Sequence, residues 1–340
     1  MTDINGTDNR LRVGMVGAGG IANAHLPAWL RIGARVVVYS IDGAPGLVAR
    51  HGGGQVVDTL DQLLDTVDVV DVCTPTYAHP EIVFSAAAAG KQVLCEKPLA
   101  LDTATAETMV KACSAAGVQL YPGHVVRYFA EYAALHRAVA AGAIGTPAVL
   151  RFHRCGARPR AAWFADPELS GGIIMDQMIH DLDFARWLGG EIDSVHARLA
   201  DSAPESATGV VSAHVIARHR GGAISTVTGT WARPGTRFRY GFHVAGTDGV
   251  LEYDSAIDPS LRTDAGRAAG GGGERLLPDV SLVASPFLTE IREVAAAFSG
   301  GPSPRVSATD GVEAVRLAAA ANASLATGRP AAVDATVVAA

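Results

Sequence analysis

The sequence predicts an α/β protein of two domains: a doubly wound parallel sheet, then an α+β domain on a large, mostly antiparallel open sheet. Three observations predict it. Strand and helix patterns alternate through the first third of the chain, opened by a Gly-x-Gly-x-x-Ala turn. After residue 148, β-type segments follow one another with hairpin-like turns. Between the first two of these lies a single amphipathic helix that begins at a glycine pair. A chain of 340 residues fits two domains, here 1–124 and 125–340.

With 49% hydrophobic residues the chain can bury a large core, and a net charge of −6 argues against nucleic acid or an anionic membrane surface as partner. No run approaches the roughly 18 apolar residues of a membrane span. Met1 to Arg10 is polar and lacks the apolar core of a signal peptide. Cys73, Cys95, Cys113 and Cys155 show no metal-ligand spacing. They read as small buried thiols of a metal-free, cytoplasmic protein.

Taken in order, Leu11 to Val16 reads as a buried parallel strand. It runs into Gly17-Ala18-Gly19-Gly20-Ile21-Ala22, and Ala24 to Ile32 reads as a helix. In this setting the glycines form a dinucleotide fingerprint of the Rossmann type. Gly17 permits the tight turn, Gly19 lets backbone approach a pyrophosphate, and Ala22 lets helix and strand pack closely. The N–H groups at Gly20, Ile21 and the helix start then hold the phosphates. Further strands are expected at Ala34–Tyr39, Val67–Val72 and Gln92–Cys95, with a helix at Glu81–Ala89. Ligands of such sheets bind outside the carboxyl ends of the strands. Thr74, Pro75 and His79, and Glu96 with Lys97, are therefore expected to face the cofactor. A capping or packing role is the plain alternative for His79.

In the second domain, Tyr121 to Arg127 leads into a helix at Ala130–Ala141. Strands are expected at Ala148–Arg154, Ile192–Ala200, Thr208–Arg218, Ala223–Trp231, Arg237–Ala245 and Gly249–Tyr253, the last after a Thr247-Asp248-Gly249 turn. Gly171-Gly172 opens the helix 173–188. At about 100° per residue, Asp176, His180, Asp183 and Trp187 share one stripe. Met175, Met178, Ile179, Leu182 and Ala185 form the core stripe. Carboxylate and imidazole at i, i+4 can act as one acid/base unit. The plain alternative is a solvated face, and Asp183 fits packing as well. Ala265 to Gly273 reads as a surface loop, and Phe287–Phe298 and Thr309–Thr327 as the final helices.

Four stretches, Gly17 to His25, Thr74-Pro75-Thr76-x-x-His79, Cys95-Glu96-Lys97-Pro98-Leu99-Ala100 and Gly171 to Asp183, resemble the Gfo/Idh/MocA family. The likeness runs from Leu11 to about Pro330. It implies hydride transfer between NAD or NADP and a sugar, polyol or sugar derivative. It implies Lys97 as a catalytic and substrate-binding residue, with Asp176 and His180 completing the set. Arg127 resembles a position that often lines the substrate site, against the plain reading of a surface arginine. Trp163 lies in a loop similar to one that reaches the active site, where it would stack on a sugar ring or merely pack. The Lys97–Pro98 bond would be cis, and the assembly a homodimer or homotetramer.

An imidazole titrates near working pH, so His180 is the acid/base candidate. Lys97 would stabilise alkoxide charge, and Asp176 would hold substrate or lysine. The cofactor choice turns on the end of the second strand. Either Asp42 accepts from the ribose 2′-hydroxyl with Ser40 as a second contact, or Ser40 occupies that position and admits a 2′-phosphate. Gly43 to Gly46 supply no cation and Arg50 is the nearest, so NAD is expected over NADP. Two other readings stand beside a sugar dehydrogenase. One is a reductase of an imine, enone or tetrapyrrole; the other is a dinucleotide-binding sensor without catalysis, which should have lost Lys97 or His180.

Overall fold

The computed structural model describes residues 10–202, 209–256 and 285–333. Contacts divide the chain into two units, Met1–Tyr128 with Val280–Val312, and Phe129–Asp279 with Glu313–Ala340. The division differs from a single cut at residue 124, because a late segment returns to the first unit. The Ala265–Gly273 loop lies outside the described residues.

The first unit follows the alternating pattern: β1 (Arg12–Val16), α1 (Ala22–Arg31), β2 (Arg35–Tyr39), α2 (Ala44–His51), β3 (Gln55–Val56), α3 (Leu60–Leu64), β4 (Val69–Val72), α4 (His79–Ala88), β5 (Gln92–Glu96), α5 (Thr103–Ala115) and β6 (Leu120–Gly123). The strands lie in the order β3-β2-β1-β4-β5-β6, and every pairing is parallel. Strand order reverses between β1 and β4, so the crevice for a ligand opens there, at the strands' carboxyl ends. The returning segment supplies a helix over Pro286–Phe298, with Pro286 at its first position. Its Leu288, Ile291, Val294 and Ala297, at helical spacing, join the core of Val13, Met15, Leu26, Trp29 and Val36. Burial of that stripe is why the helix belongs to this unit.

The second unit contains α6 (Ala130–Ala140), β7 (Pro147–Ala157), α7 (Pro167–Ser170), α8 (Ile179–Gly189), β8 (Ile192–Asp201), β9 (Val211–His219), β10 (Ile224–Ala232), β11 (Arg239–Gly246) and β12 (Val250–Asp254). The helix at Pro286–Phe298 is α9; α10 (Ala308–Thr327) and β13 (Ala331–Ala332) close the chain. The sheet runs β12-β11-β7-β10-β9-β8-β13. It is antiparallel except where β7 pairs with β10. Along β9 buried and exposed residues alternate strictly, the period-2 signature of a sheet with one covered face. Before α8 the chain makes a π-helical turn at Ile174–Met178. Gly229 on β10 makes room for it, since a Cβ there would meet Met178 Cγ at 2.4 Å.

Candidate active site

In the first unit the turn after β1 has the geometry its glycines predict. Gly17 adopts φ 105°, and its N–H donates to the Tyr39 carbonyl at 2.8 Å. A Cβ at Gly17 would lie 2.6 Å from the Cys73 carbonyl oxygen, so the loops leaving β1 and β4 touch at the reversal point. A Cβ at Gly19 or Gly20 would meet nothing within 4 Å. Helix α1 begins there without a side-chain cap and without an acidic residue in its first turn. Unsatisfied N–H groups and the helix dipole at such a start suit a pyrophosphate. Gly17, Gly19, Gly20 and Ile21 therefore fit a dinucleotide.

The end of β2 lies beside this turn. Ser40 follows the strand directly, Ile41 and Asp42 are exposed, and an added Cβ at Gly43 would lie 3.5 Å from the Ala18 Cβ. Arg50 and His51 both reach the Asn23 side-chain oxygen, and Asn23 Nδ2 donates to the Gly19 carbonyl at 2.9 Å. Arg50 thus braces the glycine turn through Asn23.

His79 takes the packing role. It is 1% exposed, with Nδ1 2.9 Å from the Pro98 carbonyl and Nε2 2.9 Å from the Thr74 carbonyl. Burial lowers its pKa, so the neutral ring donates to one of the two carbonyls. A direct cofactor contact is thereby corrected: His79 ties the loop after β4 to the segment after β5 that carries Lys97. The Lys97–Pro98 bond is cis.

Behind that segment lies a cluster in which sequence reasoning had expected only Glu96 to act, as a residue facing the cofactor. His25, on α1 and fully buried, sits with Nδ1 3.0 Å from Asp71 Oδ2 and Nε2 3.0 Å from Glu96 Oε1. The Glu96 contact is ionic, its angle too bent for a straight hydrogen bond. Trp29 Nε1 donates to Asp71 at 2.6 Å, and Cys73 Sγ lies 3.5 Å from the same carboxylate. Burial pushes His25 toward its neutral form, but Asp71 outweighs it, and the pKa stands well above the ordinary imidazole value. His25, Asp71 and Cys73 are close enough to share an ion, but their polar atoms are already bonded to one another. An aspartate inside the apolar strand Val69-Val70-Asp71-Val72 was the available signal.

Arg127 is neither a surface residue nor open to a ligand. At 1% exposure, its guanidinium donates to the Arg305 carbonyl at 2.9 Å and pairs with Asp310 at 3.2 Å. The substrate-lining reading is corrected on that ground. Asp310 is pushed up by burial but pulled down further by Arg127 and Ser307, to about 2.

In the second unit, Asp176 sits in the π-helical turn and His180 in the first turn of α8, both half-buried. π-Turns recur at functional sites because they break the regular side-chain phase. Asp176, His180 and Trp187 are partly open, whereas Asp183 is 2% exposed and belongs to the packing. The core residues Met175, Met178, Ile179, Leu182 and Ala185 are each at most 1% exposed. Directly after His180, the fully buried Asp181 accepts from Arg154 Nε at 3.0 Å and Nη2 at 2.7 Å, and from the Tyr132 hydroxyl at 3.3 Å. Trp163 stacks on Phe164 with ring centroids 3.7 Å apart, and Phe164 meets Trp231 edge-on.

The comparisons with known proteins bear on the family and the fold. Residues 11–124 match the oxidoreductase family with an NAD-binding Rossmann fold, and residues 132–252 match the GFO/IDH/MocA C-terminal domain. The chain is 30% identical over 332 residues to the myo-inositol 2-dehydrogenase of Thermotoga maritima, covering 93% of this chain and 96% of that protein. It is also 30% identical to the 1,5-anhydro-D-fructose reductase of Ensifer adhaerens, covering 95% and 98%. Among solved structures, GenD2 from gentamicin A biosynthesis in complex with NAD superposes with a TM-score of 0.84 at 28% identity, covering 96% of this chain and 97% of that one. Motifs, sheet order and full-length likeness converge: the chain belongs to the Gfo/Idh/MocA family of NAD-binding oxidoreductases.

Proposed function

We infer that the protein is a dehydrogenase that moves a hydride between a secondary hydroxyl of a sugar, polyol or sugar derivative and NAD. The observation that carries this reading is the open, uncapped start of α1 at the sheet's reversal point, with the Lys97 segment at the end of β5 in the same unit. The relatives whose names specify inositol and anhydrofructose support the substrate class. NAD supplies the hydride acceptor when bound. Gly17, Gly19, Gly20 and Ile21 hold its pyrophosphate. Asp42, exposed beyond β2, takes the ribose hydroxyls. Thr74 and Pro75 frame the same crevice, while Glu96, 5% exposed, is turned to His25 and the Lys97 N–H rather than to the cofactor.

Each remaining role belongs to a side chain. His180 takes the proton from the substrate hydroxyl as its carbon gives up hydride. Lys97 holds the developing alkoxide by charge and hydrogen bond. Asp176 orients the substrate, and Trp163 with Phe164 offers an aromatic face to its ring. A compartment that keeps thiols reduced, such as the cytoplasm, suits the four free cysteines. Among the described residues no helix is long and apolar enough to cross a membrane. A homodimer or homotetramer is supported by the second sheet's open face, where Ile216 and Ile224 stand 52% and 46% exposed. Light scattering tests that state, and a monomer at micromolar concentration overturns it.

A panel of polyols and sugars assayed with NAD and with NADP, followed at the reduced-nicotinamide absorbance band, tests the activity. Turnover of a polyol or sugar with the higher kcat/KM for NAD is expected. Turnover confined to imine or enone substrates overturns the substrate class, and a preference for NADP overturns the role of Asp42.

A further inference from the structure

Lys97 leaves the sheet one residue after Glu96, and Glu96 is held on every side. Its Oε2 accepts from the Lys97 main-chain N–H at 3.1 Å. Its Oε1 lies 3.0 Å from His25 Nε2. On the β6 side, a Cβ at Gly123 would sit 2.8 Å from Oε1, so only glycine leaves the carboxylate this space. His25 is fixed in turn by Asp71, and Asp71 by the Trp29 indole. The Phe287 ring lies 5.7 Å from the imidazole and Glu290, 1% exposed, completes the enclosure from α9. A continuous line of contacts therefore runs from Trp29 through Asp71, His25 and Glu96 to the Lys97 backbone.

Burying such charges is costly, and apolar residues of similar shape often give equal or greater stability. A buried ionic line makes sense where it fixes a direction. The bond from Glu96 sets the plane of the peptide from which the Lys97 side chain departs. We propose that Glu96 and His25 are positioning residues for Lys97, the buried pair fixing the main chain from which the lysine reaches its substrate. This rests on the reading of Lys97 as a catalytic residue.

Glu96→Gln tests it, because an amide keeps the side chain's shape and removes the negative charge that faces His25. With the best substrate of the panel, kcat should fall about 10- to 100-fold, the loss associated with misplacing a reacting group by an ångström or less. NAD affinity, read by fluorescence titration, and the melting temperature should stay close to those of the parent. In a Lys97→Ala background the same change should cost little more, since residues acting as a unit are not additive. A Glu96→Gln enzyme with parental kcat overturns the proposal, as does a fully multiplicative loss in the Lys97→Ala background. Lys97→Ala with normal turnover overturns the reading of Lys97 and the proposal with it; a crippled Lys97→Ala beside a normal Glu96→Gln overturns the proposal alone. If Glu96→Gln does not fold, His25→Gln is judged by the same criteria. If neither folds, the cluster serves the fold itself and the proposal is overturned.

Discussion

Each unit carries one candidate catalytic side chain whose sequence neighbour is buried in an ion pair. In the first, Lys97 adjoins Glu96, held by His25; in the second, His180 adjoins Asp181, held by Arg154 and Tyr132. The two pairs differ in their cation. Arg154 binds Asp181 through two nitrogens, and although burial works against its charge, Asp181 raises its pKa further. That cation is permanent at any pH the protein survives. His25 is charged only because Asp71 overcomes burial. The second unit therefore anchors the helix of its candidate, His180, with a fixed strut, and the first holds the strand end beside its candidate, Lys97, with a titratable one.

The largest expected effect concerns the two candidate catalytic side chains themselves. Lys97→Ala and His180→Ala should each lower kcat by about 100- to 10,000-fold, as loss of a well-placed acid/base or charge-stabilising group does. NAD affinity and melting temperature should change little. Steady-state kinetics on the panel's best substrate checks this, and near-normal kcat in either variant removes that residue from the mechanism.

Next comes the strut. Arg154→Met leaves Asp181 buried and charged beside a lone tyrosine hydroxyl, and should cost about 3–5 kcal/mol in urea unfolding. Pairing it with Asp181→Leu should recover most of the loss, because the charge goes with its partner. Additive losses in the double variant would mean that the pair is not the source of the cost.

Most of this frame was legible in the chain. Periodicity located the six long strands of the second sheet, the helix after Gly172 and both final helices. What stayed hidden was long-range. His25, Asp71, Glu96 and Glu290 are spread over most of the chain, so no local pattern reveals that α1, β4, β5 and α9 bring them together. Asp181 was masked because, at helical pitch, it falls outside the stripe shared by Asp176 and His180. Arg127 and His79 were legible as polar residues at strand ends. Their burial on Asp310 and on two carbonyls was not.

A third pair, Arg127 with Asp310, serves as a control inside the first unit, because its cation is permanent. Asp310 also closes the start of α10, accepting from the Ser307 N–H at 2.9 Å. Its pKa falls from the ordinary 3.8 to about 2. A lowered carboxylate contributes stability above its unfolded value and loses it as pH falls through the folded one. Screening at its partly exposed edge leaves about 1–2 kcal/mol. Asp310→Asn should remove this, lowering stability at neutral and alkaline pH alike and shifting the acid-unfolding midpoint upward. An unchanged acid midpoint would show that the pair contributes nothing.

The smallest effect near neutrality, and the one that most directly sets the units apart, is the alkaline behaviour of His25. The groups facing its ring are Asp71 from β4, Cys73 just after it, Glu96 from β5 and Glu290 from α9. Burial, then Glu96, holds Glu290 well above the carboxylate range, and burial raises the Cys73 thiol. Against burial, Asp71 and then Cys73 raise the imidazole, and Glu96 Oε1 lies 3.0 Å from its other nitrogen. The folded pKa lies above the ordinary imidazole value of about 6.5, so the sign is that of a raised base. Its contribution is complete below the unfolded value and is lost as pH rises through the folded one. Arg154 gives no such loss. Hydrogen exchange between about pH 6 and pH 9, corrected for intrinsic rates, should show protection of α1 falling with pH relative to α8. His25→Gln should make the two slopes parallel. Parallel slopes in the parent protein would mean that His25 is uncharged in the fold, and the contrast between a fixed and a titratable anchor would be lost.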